Sequence, residues 1–107
     1  MNTKKILIID DDKIFSKILR DGLVAGGQGK YEVSTAFDGE EGFLVAEREK
    51  PNLIMLDMMM PKVTGIEFLR KLRGEEWGKD TPVIVETQLS DLEKMSEGVE
   101  LGVRGYI

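Results

Sequence analysis

The chain has 107 residues, the size of a single domain, and 41% of them are hydrophobic. It contains neither cysteine nor histidine, which excludes disulfides, thiolate metal sites, histidine-based zinc sites and catalytic triads. The formal charge is −5 and the basic residues form no block, which argues against a nucleic-acid-binding surface.

The strand-like segments are short. Two unbroken apolar tetrads, Ile6–Ile9 and Leu53–Leu56, are bounded by charges, as is typical of strands buried on both faces of a parallel sheet. Val83–Val85 is a third such run, and Tyr31–Ala36 and Arg104–Ile107 predict two more strands, the last one cut short. None of these runs could span a bilayer. With no signal-peptide core at the start, we expect a cytoplasmic domain without membrane contact.

Four helices are predicted between the strands. The first follows an aspartate cluster and ends at Gly26-Gly27. Asp38 caps the second, which extends to about Arg48, and capping boxes at Thr64–Glu67 and Ser90–Glu93 start the third and fourth. The apolar face of the first helix is expected to consist of Ile14, Ile18, Leu19 and Leu23.

This alternation of strands and helices predicts a doubly wound α/β domain with a parallel sheet. In such folds, ligands bind beyond the carboxyl ends of the strands, at the point where the strand order reverses. The residues that follow Ile9 and Leu56 should therefore carry the chemistry.

Those residues are acidic: Asp10, Asp11 and Asp12 follow the first tetrad and Asp57 follows the second. Carboxylates that converge in one crevice repel each other unless a cation neutralises them, and a hard, oxygen-preferring ion such as Mg²⁺ suits them. A carboxylate beside such an ion can act as the nucleophile in phosphoryl transfer. The alternative is that these acids cap the next helix. For Asp12 we favour that cap, whereas Asp10 and Asp11 taken alone fit either role.

The chain resembles the response-regulator receiver family. The resemblance rests on four segments in the family's order and spacing: Ile-Leu-Ile-Ile before Asp10-Asp11, Leu-Asp57-Met-Met-Met-Pro with Gly65 four residues on, Pro-Val-Ile-Val-Glu-Thr87, and Gly-Val-Arg-Gly-Tyr106. It covers essentially the whole chain and implies a flavodoxin-like sheet in the order 2-1-3-4-5, with residues 1–107 forming one receiver domain.

The resemblance also implies the site residues. Asp57 would be the phosphoacceptor, and Mg²⁺ would be held by Asp11 directly, by Asp10 through water, by Asp57 and by the backbone carbonyl of Met59. Thr87 would donate a hydrogen bond to the phosphoryl group, although a threonine at a strand end is also an ordinary β-forming residue. Tyr106 would be the aromatic switch residue, or else a packed edge-strand aromatic. The implied phosphodonor is a sensor histidine kinase, a phosphotransfer protein or a small phosphodonor.

The sequence departs from the family's pattern at three points. The usual lysine would fall two residues beyond Ile107, and the final helix is missing, so we expect a C-terminally incomplete receiver. Its uncovered sheet face is expected either to form a homodimer or to pack against another segment through the region of strands four and five. Gln88 stands where the family has a small residue. Glu86 stands where it has an apolar one, and an unpaired carboxylate there would be costly.

The sequence is compatible with three functions. The first is a phosphorylation-dependent switch, which is not an enzyme on other substrates. The second is a pseudo-receiver that binds its partner without phosphorylation, which Gln88 and the absent lysine favour. The third, an aspartyl-nucleophile phosphatase, ranks far below because such enzymes carry a second aspartate where this chain has Met59. The neighbouring Met58 and Met60 are expected to be packing residues.

Overall fold

The structure is a computed structural model that describes residues 3–58, 60, 63–86 and 102–106. Within these residues five strands and three helices alternate. The strands are β1 (Lys4–Ile9), β2 (Tyr31–Ala36), β3 (Leu53–Asp57), β4 (Val83–Glu86) and β5 (Gly105–Tyr106). The helices are α1 (Lys13–Gly27), α2 (Gly39–Glu49) and α3 (Gly65–Arg73). The predicted fourth helix lies outside the described residues.

The sheet is parallel, with the strand order β2-β1-β3-β4-β5. The predicted doubly wound, flavodoxin-like fold and its strand order are therefore confirmed. The predicted β2 matches the observed strand at both ends, and the other strands differ from prediction by two residues or fewer at each end. The order reverses between β1 and β3, so the ends of these two strands border the crevice where such folds bind ligands.

The larger part of the core lies on the sheet face covered by α2 and α3. Fifteen buried residues form one cluster there, and they include Phe68, Leu69 and Leu72 of α3. Met58 and Met60 are also buried in this cluster, which confirms their predicted role in packing. Burial of this apolar face is what holds α3 against the sheet.

The other face of the sheet carries a smaller cluster under α1. Leu19 and Leu23 pack there against Ile6, Ile8 and Met55, which are buried. The predicted apolar face of α1 was wrong in part: Ile14 and Ile18 are 75% and 65% exposed. They lie on the side of α1 that no described residue covers. Their spacing is that of an apolar helix face, but none of the described residues packs against it.

At the amino-terminal edge of the sheet, aromatic and cationic side chains from α2, from α3 and from the loop after α3 contact one another or the backbone. The Trp77 ring lies 5.7 Å from the Phe43 ring of α2, between centroids, and Lys50 Nζ lies 5.0 Å from the Trp77 centroid. Trp77 is partly buried against the larger cluster. The guanidinium of Arg73, at the end of α3, donates to three backbone carbonyls, those of Gly78, Thr81 and Gly102.

Among the described residues, no helix combines the length and apolar character that a membrane crossing requires.

Candidate functional site

Three acidic residues lie level with one another at the carboxyl edge of the sheet. Ile9 and Leu56 are register partners at the end of the β1–β3 ladder, so Asp10 and Asp57 follow side by side. Asp57 is in turn the register partner of Glu86 in β4. Asp10, which directly follows β1, therefore lies in one row with Asp57 and Glu86, the last residues of β3 and β4.

Side-chain alternation places these residues on the α1 side of the sheet. Ile8 and Met55 point into the cluster under α1, and residues two positions further along a strand point to the same face. Asp10 and Asp57 stand in that relation to Ile8 and Met55. Glu86 shares the face because paired residues in parallel strands point the same way.

The backbone around Asp10 holds its side chain in place. Asp10 is 4% exposed, and its N–H donates to the carbonyl of Ala36 at 3.1 Å, which extends the β1–β2 ladder by one bond. Its Oδ1 accepts from the N–H of Asp12 at 2.9 Å. A buried carboxylate with backbone donors is fixed in orientation before any ligand arrives.

Asp12 has a structural role. It is the N-cap of α1, and its Oδ1 accepts from the N–H of Phe15 at 2.9 Å. This confirms the cap predicted for Asp12. Asp12 therefore binds the start of α1, whereas Asp10 and Asp11 belong to the carboxylate cluster in the crevice.

The remaining acids form a set that could hold a metal ion. Carboxylate oxygens of Asp10, Asp11 and Asp57 all lie within 4.8 Å of one another. Asp10 is buried, Asp57 is half-buried and Asp11 is exposed, so the cluster opens to solvent on one side. Oxygen ligands at this spacing, with room for water, fit a hard divalent cation such as Mg²⁺.

Glu86 supplies a further observation that fits a cation. Its Oε1 is buried and has no hydrogen-bond partner in the part of the chain that the structure describes. Burial and the nearby carboxyl groups of Asp10, Asp57 and Asp12 raise the pKa of Glu86 to about 8. The first cause is desolvation and the others are negative neighbours, whose repulsion a bound cation would reduce.

Gly65 allows α3 to start directly beneath this edge. A Cβ at Gly65 would lie 2.6 Å from Sδ and 2.7 Å from Cα of Met58, and 3.0 Å from the carbonyl oxygen of Asp57. The N–H of Gly65 also donates to the carbonyl of Met58 at 3.3 Å. Only a residue without a side chain allows this approach, so Gly65 helps to set where β3 ends and where Asp57 lies.

The structure thus brings together Asp10, Asp11 and Asp57 from the predicted set. Met59 and Thr87 lie outside the described residues, as does Gln88. Tyr106 lies in β5, where it is the register partner of Val85. Sequence reasoning singled out Glu86 only as a misplaced carboxylate and missed its place beside the cluster. Period-two alternation could have indicated it: Glu86 shares a face of β4 with Ile84, opposite to the face of Val83 and Val85.

The chain belongs to the response regulator receiver domain family, whose model matches residues 6–107. The resemblance seen in the sequence is therefore confirmed, and it places this protein among the components of two-component signalling. Receiver domains typically bind Mg²⁺ in an acidic pocket, and this chain has a cluster of Asp10, Asp11 and Asp57 at the ends of β1 and β3.

Similar proteins include transcriptional regulators and a chemotaxis protein. The probable transcriptional regulator ycf27 of Porphyridium aerugineum is 43% identical over 107 residues, which are 100% of this chain and 42% of that protein. The alkaline phosphatase synthesis transcriptional regulatory protein PhoP of Bacillus subtilis is 39% identical over 104 residues, 97% of this chain and 41% of that protein. The chain thus spans less than half the length of these relatives.

Among solved structures, the chemotaxis protein CheY4 of Vibrio cholerae superposes with a TM-score of 0.88 at 32% identity, covering 98% of this chain and 85% of that one. The agreement extends over nearly all of both chains, as expected for members of one domain family.

Proposed function

We propose that this chain is the phosphoacceptor module of a two-component system and accepts a phosphoryl group on Asp57 in the presence of Mg²⁺. One observation carries the proposal: the carboxylates of Asp10, Asp11 and Asp57 converge within 4.8 Å where the strand order reverses. A single nucleophilic carboxylate needs no such neighbours, whereas a phosphoryl acceptor that works with a divalent cation does.

In the proposed reaction an Asp57 carboxylate oxygen attacks the phosphorus of the donor. A bond forms between that oxygen and phosphorus, the bond from phosphorus to the donor nitrogen or oxygen breaks, and its electron pair leaves with the donor. Asp10 and Asp11 would hold the cation beside Asp57. Mg²⁺, when bound, offsets the negative charge on the transferring group.

The family's pattern assigns the remaining roles. The backbone carbonyl of Met59 would complete the protein ligands of the ion, and Thr87 would donate its hydroxyl to a phosphoryl oxygen. Tyr106 would respond to that contact from β5. On this proposal the chain catalyses only its own phosphorylation and dephosphorylation and acts on no other substrate.

The partners follow from the same proposal. The donor would be the phosphohistidine of a sensor kinase or phosphotransfer protein in the cytoplasm. Because relatives such as ycf27 and PhoP are named as transcriptional regulators, we propose that phosphorylation here controls transcription through a partner surface and not through DNA contacts of this domain.

The test is intact mass spectrometry after incubation with Mg²⁺ and acetyl phosphate. We expect one phosphate increment, lost on addition of hydroxylamine because an acyl phosphate is cleaved by it, and absent with EDTA. Asp57→Asn should remove the increment. Asp38→Asn is the matched control, because Asp38 caps α2 and asparagine caps a helix equally well.

A pseudo-receiver is the second candidate, and Glu86 is the observation that favours it. When it is ionised, a carboxyl group level with Asp57 opposes the addition of a phosphoryl dianion to that residue. An unmodified mass, from folded protein that still binds Mg²⁺, would support this candidate and contradict phosphorylation of Asp57.

A further inference from the structure

A groove lies between α1 and the carboxyl end of β2, which is the edge strand of the sheet. Its volume is about 300 Å³, at the lower end of the range for small-molecule sites. Four residues of α1 and two that belong to β2 or follow it line the groove: Lys13, Ser16, Lys17, Arg20, Thr35 and Phe37. Among the described residues, none that lines the groove is acidic.

The helix presents a basic stripe to this groove. Lys13, Lys17 and Arg20 have the spacing i, i+4 and i+7, which puts them on one side of α1. The solvent side of the helix carries Ile14 and Ile18 instead, which are 75% and 65% exposed. A surface helix ordinarily turns its charged residues to solvent and its apolar residues toward a neighbour. Three cations that border one groove depart from that pattern.

The strand side of the groove supplies a hydroxyl group and an aromatic ring. Val33 packs in the cluster under α1, and residues two positions apart on a strand point to the same face, so Thr35 and Phe37 follow on that face. Lys13 Nζ lies 5.1 Å from the centroid of the Phe37 ring, and the N–H of Phe37 donates to Glu41 Oε1 at 2.7 Å. These contacts hold the aromatic end of the groove in place.

Asp21 is the acidic residue that pairs with two of the cations. Its Oδ2 lies 3.0 Å from Lys17 Nζ, and its Oδ1 lies 3.5 Å from Arg20 Nη2. All three side chains are at least half exposed, and exposed ion pairs of this kind contribute little to stability. An anion that enters the groove can therefore compete with Asp21 for both cations.

We propose that this groove binds a phosphorylated small molecule, with its phosphate held by Lys17, Arg20 and the Thr35 hydroxyl and its organic part against Phe37. A phosphate dianion can contact several cations at once, and the planar guanidinium group of arginine matches its oxygens. A nucleic acid is a poorer fit, because the chain carries a charge of −5 and its basic residues form no extended block. The inference does not rest on the proposed function, since the groove uses none of the three clustered aspartates.

The experiment is a titration of the ¹⁵N-labelled full chain, followed by NMR, with inorganic phosphate, adenosine monophosphate and adenosine. EDTA is present, so that no divalent cation can hold phosphate at the acidic cluster. We expect the two phosphate-bearing probes to shift the amide signals of Lys13–Arg20, Thr35 and Phe37 to saturation, and adenosine to leave them unchanged. Binding should weaken as the salt concentration rises.

The double variant Lys17→Gln with Arg20→Gln should bind adenosine monophosphate about tenfold more weakly. Arg48→Gln with Lys79→Gln is the matched control. It makes the same change in charge, and each of these cations is likewise paired with an acid, at 2.9 Å, away from the groove. The control should bind as the unmodified chain does.

Asp21→Asn should have the opposite effect. Loss of the competing carboxylate frees both cations, so we expect binding about two- to fourfold tighter. A gain of affinity cannot arise from partial unfolding.

Three results would overturn the inference. The first is the absence of saturable shifts at the groove with both phosphate-bearing probes up to about 10 mM. The second is equal weakening in the two double variants, which would show that only the overall charge matters. The third is weaker binding by Asp21→Asn, which would mean that the cations it pairs with do not hold the anion.

Discussion

Asp57 and Glu86 are register partners on the last rung between β3 and β4. Two carboxyl groups at that position are unfavourable for a metal-free fold, because one oxygen of Glu86 is buried and has no hydrogen-bond partner among the described residues. The same arrangement places Asp57, the proposed phosphoacceptor, beside Glu86, whose pKa is raised by burial and by its negative neighbours. A bound cation should reduce this repulsion, so cation binding should increase the free energy of unfolding.

Glu86→Val should stabilise the metal-free protein. The change removes a carboxyl group that is desolvated beside Asp10 and Asp57 and adds a good strand former, so we expect the free energy of unfolding to rise by about 1–2 kcal/mol. Urea unfolding in EDTA measures it. Glu32→Val is the control, because Glu32 is exposed on β2 and its loss should change stability by about 0.5 kcal/mol or less. A metal-free Glu86→Val protein that is less stable than the unmodified chain would contradict the expectation.

Asp11→Asn should abolish most of the stabilisation by Mg²⁺. Asp11 is exposed and lies in the carboxylate cluster, so its loss removes a charged ligand without disturbing the core. We expect the metal-free Tm to stay the same or rise, since like-charge repulsion falls, and most of the Mg²⁺-induced rise in Tm to be lost. Differential scanning calorimetry at increasing Mg²⁺ tests this. An undiminished shift would place the ion elsewhere.

Asp12 should behave as a cap and not as a ligand. Asp12→Ala should cost about 1 kcal/mol through loss of the bond from the Phe15 N–H, and Asp12→Ser should retain most of it because serine is also a strong N-cap. Chemical denaturation compares the two. Neither change should weaken Mg²⁺ binding as much as Asp11→Asn, and a serine variant as damaged as the alanine variant would argue for a role beyond capping.

Gly65→Ala should disturb both the fold and the site. Its Cβ would lie 2.7 Å from the Cα of Met58 and 3.0 Å from the carbonyl oxygen of Asp57, and backbone cannot move aside as a flexible side chain does. We expect a loss of about 1–3 kcal/mol together with weaker Mg²⁺ binding.

Gly22→Ala is the matched control for that change. A Cβ at Gly22 meets nothing within 4 Å, and the residue lies in the interior of α1. Alanine there should stabilise the protein by about 0.5–1 kcal/mol. Equal stability losses in the two variants would show that the close approach at Gly65 is not the cause.

Much of the fold could be predicted because its signals are local. The tetrad Leu53–Leu56 is apolar without interruption, as strands buried on both faces are, and β3 starts at Leu53. The capping box predicted at Thr64 is present, with Thr64 Oγ1 accepting from the N–H of Glu67 and Glu67 Oε1 accepting from the N–H of Thr64. The acids at Asp10 and Asp57 could be placed at one edge because parallel strands end together.

The rest depends on contacts between distant parts of the chain. Ile14 and Ile18 have helical spacing, but spacing does not reveal which neighbour covers a stripe, and both are exposed. The place of Glu86 beside Asp57 depends on the β3–β4 register. That register cannot be read from the order of residues in β4.

Trp77 gives the chain an internal optical probe. It is the single tryptophan, and it lies against Phe43 and beneath the ammonium group of Lys50, at the opposite end of the sheet from the carboxylates. Its emission will therefore report the docking of α2 and the loop after α3 without direct quenching by an ion at the acidic edge. A change in that emission during a metal titration would reveal that a rearrangement has been transmitted along the full length of the strands.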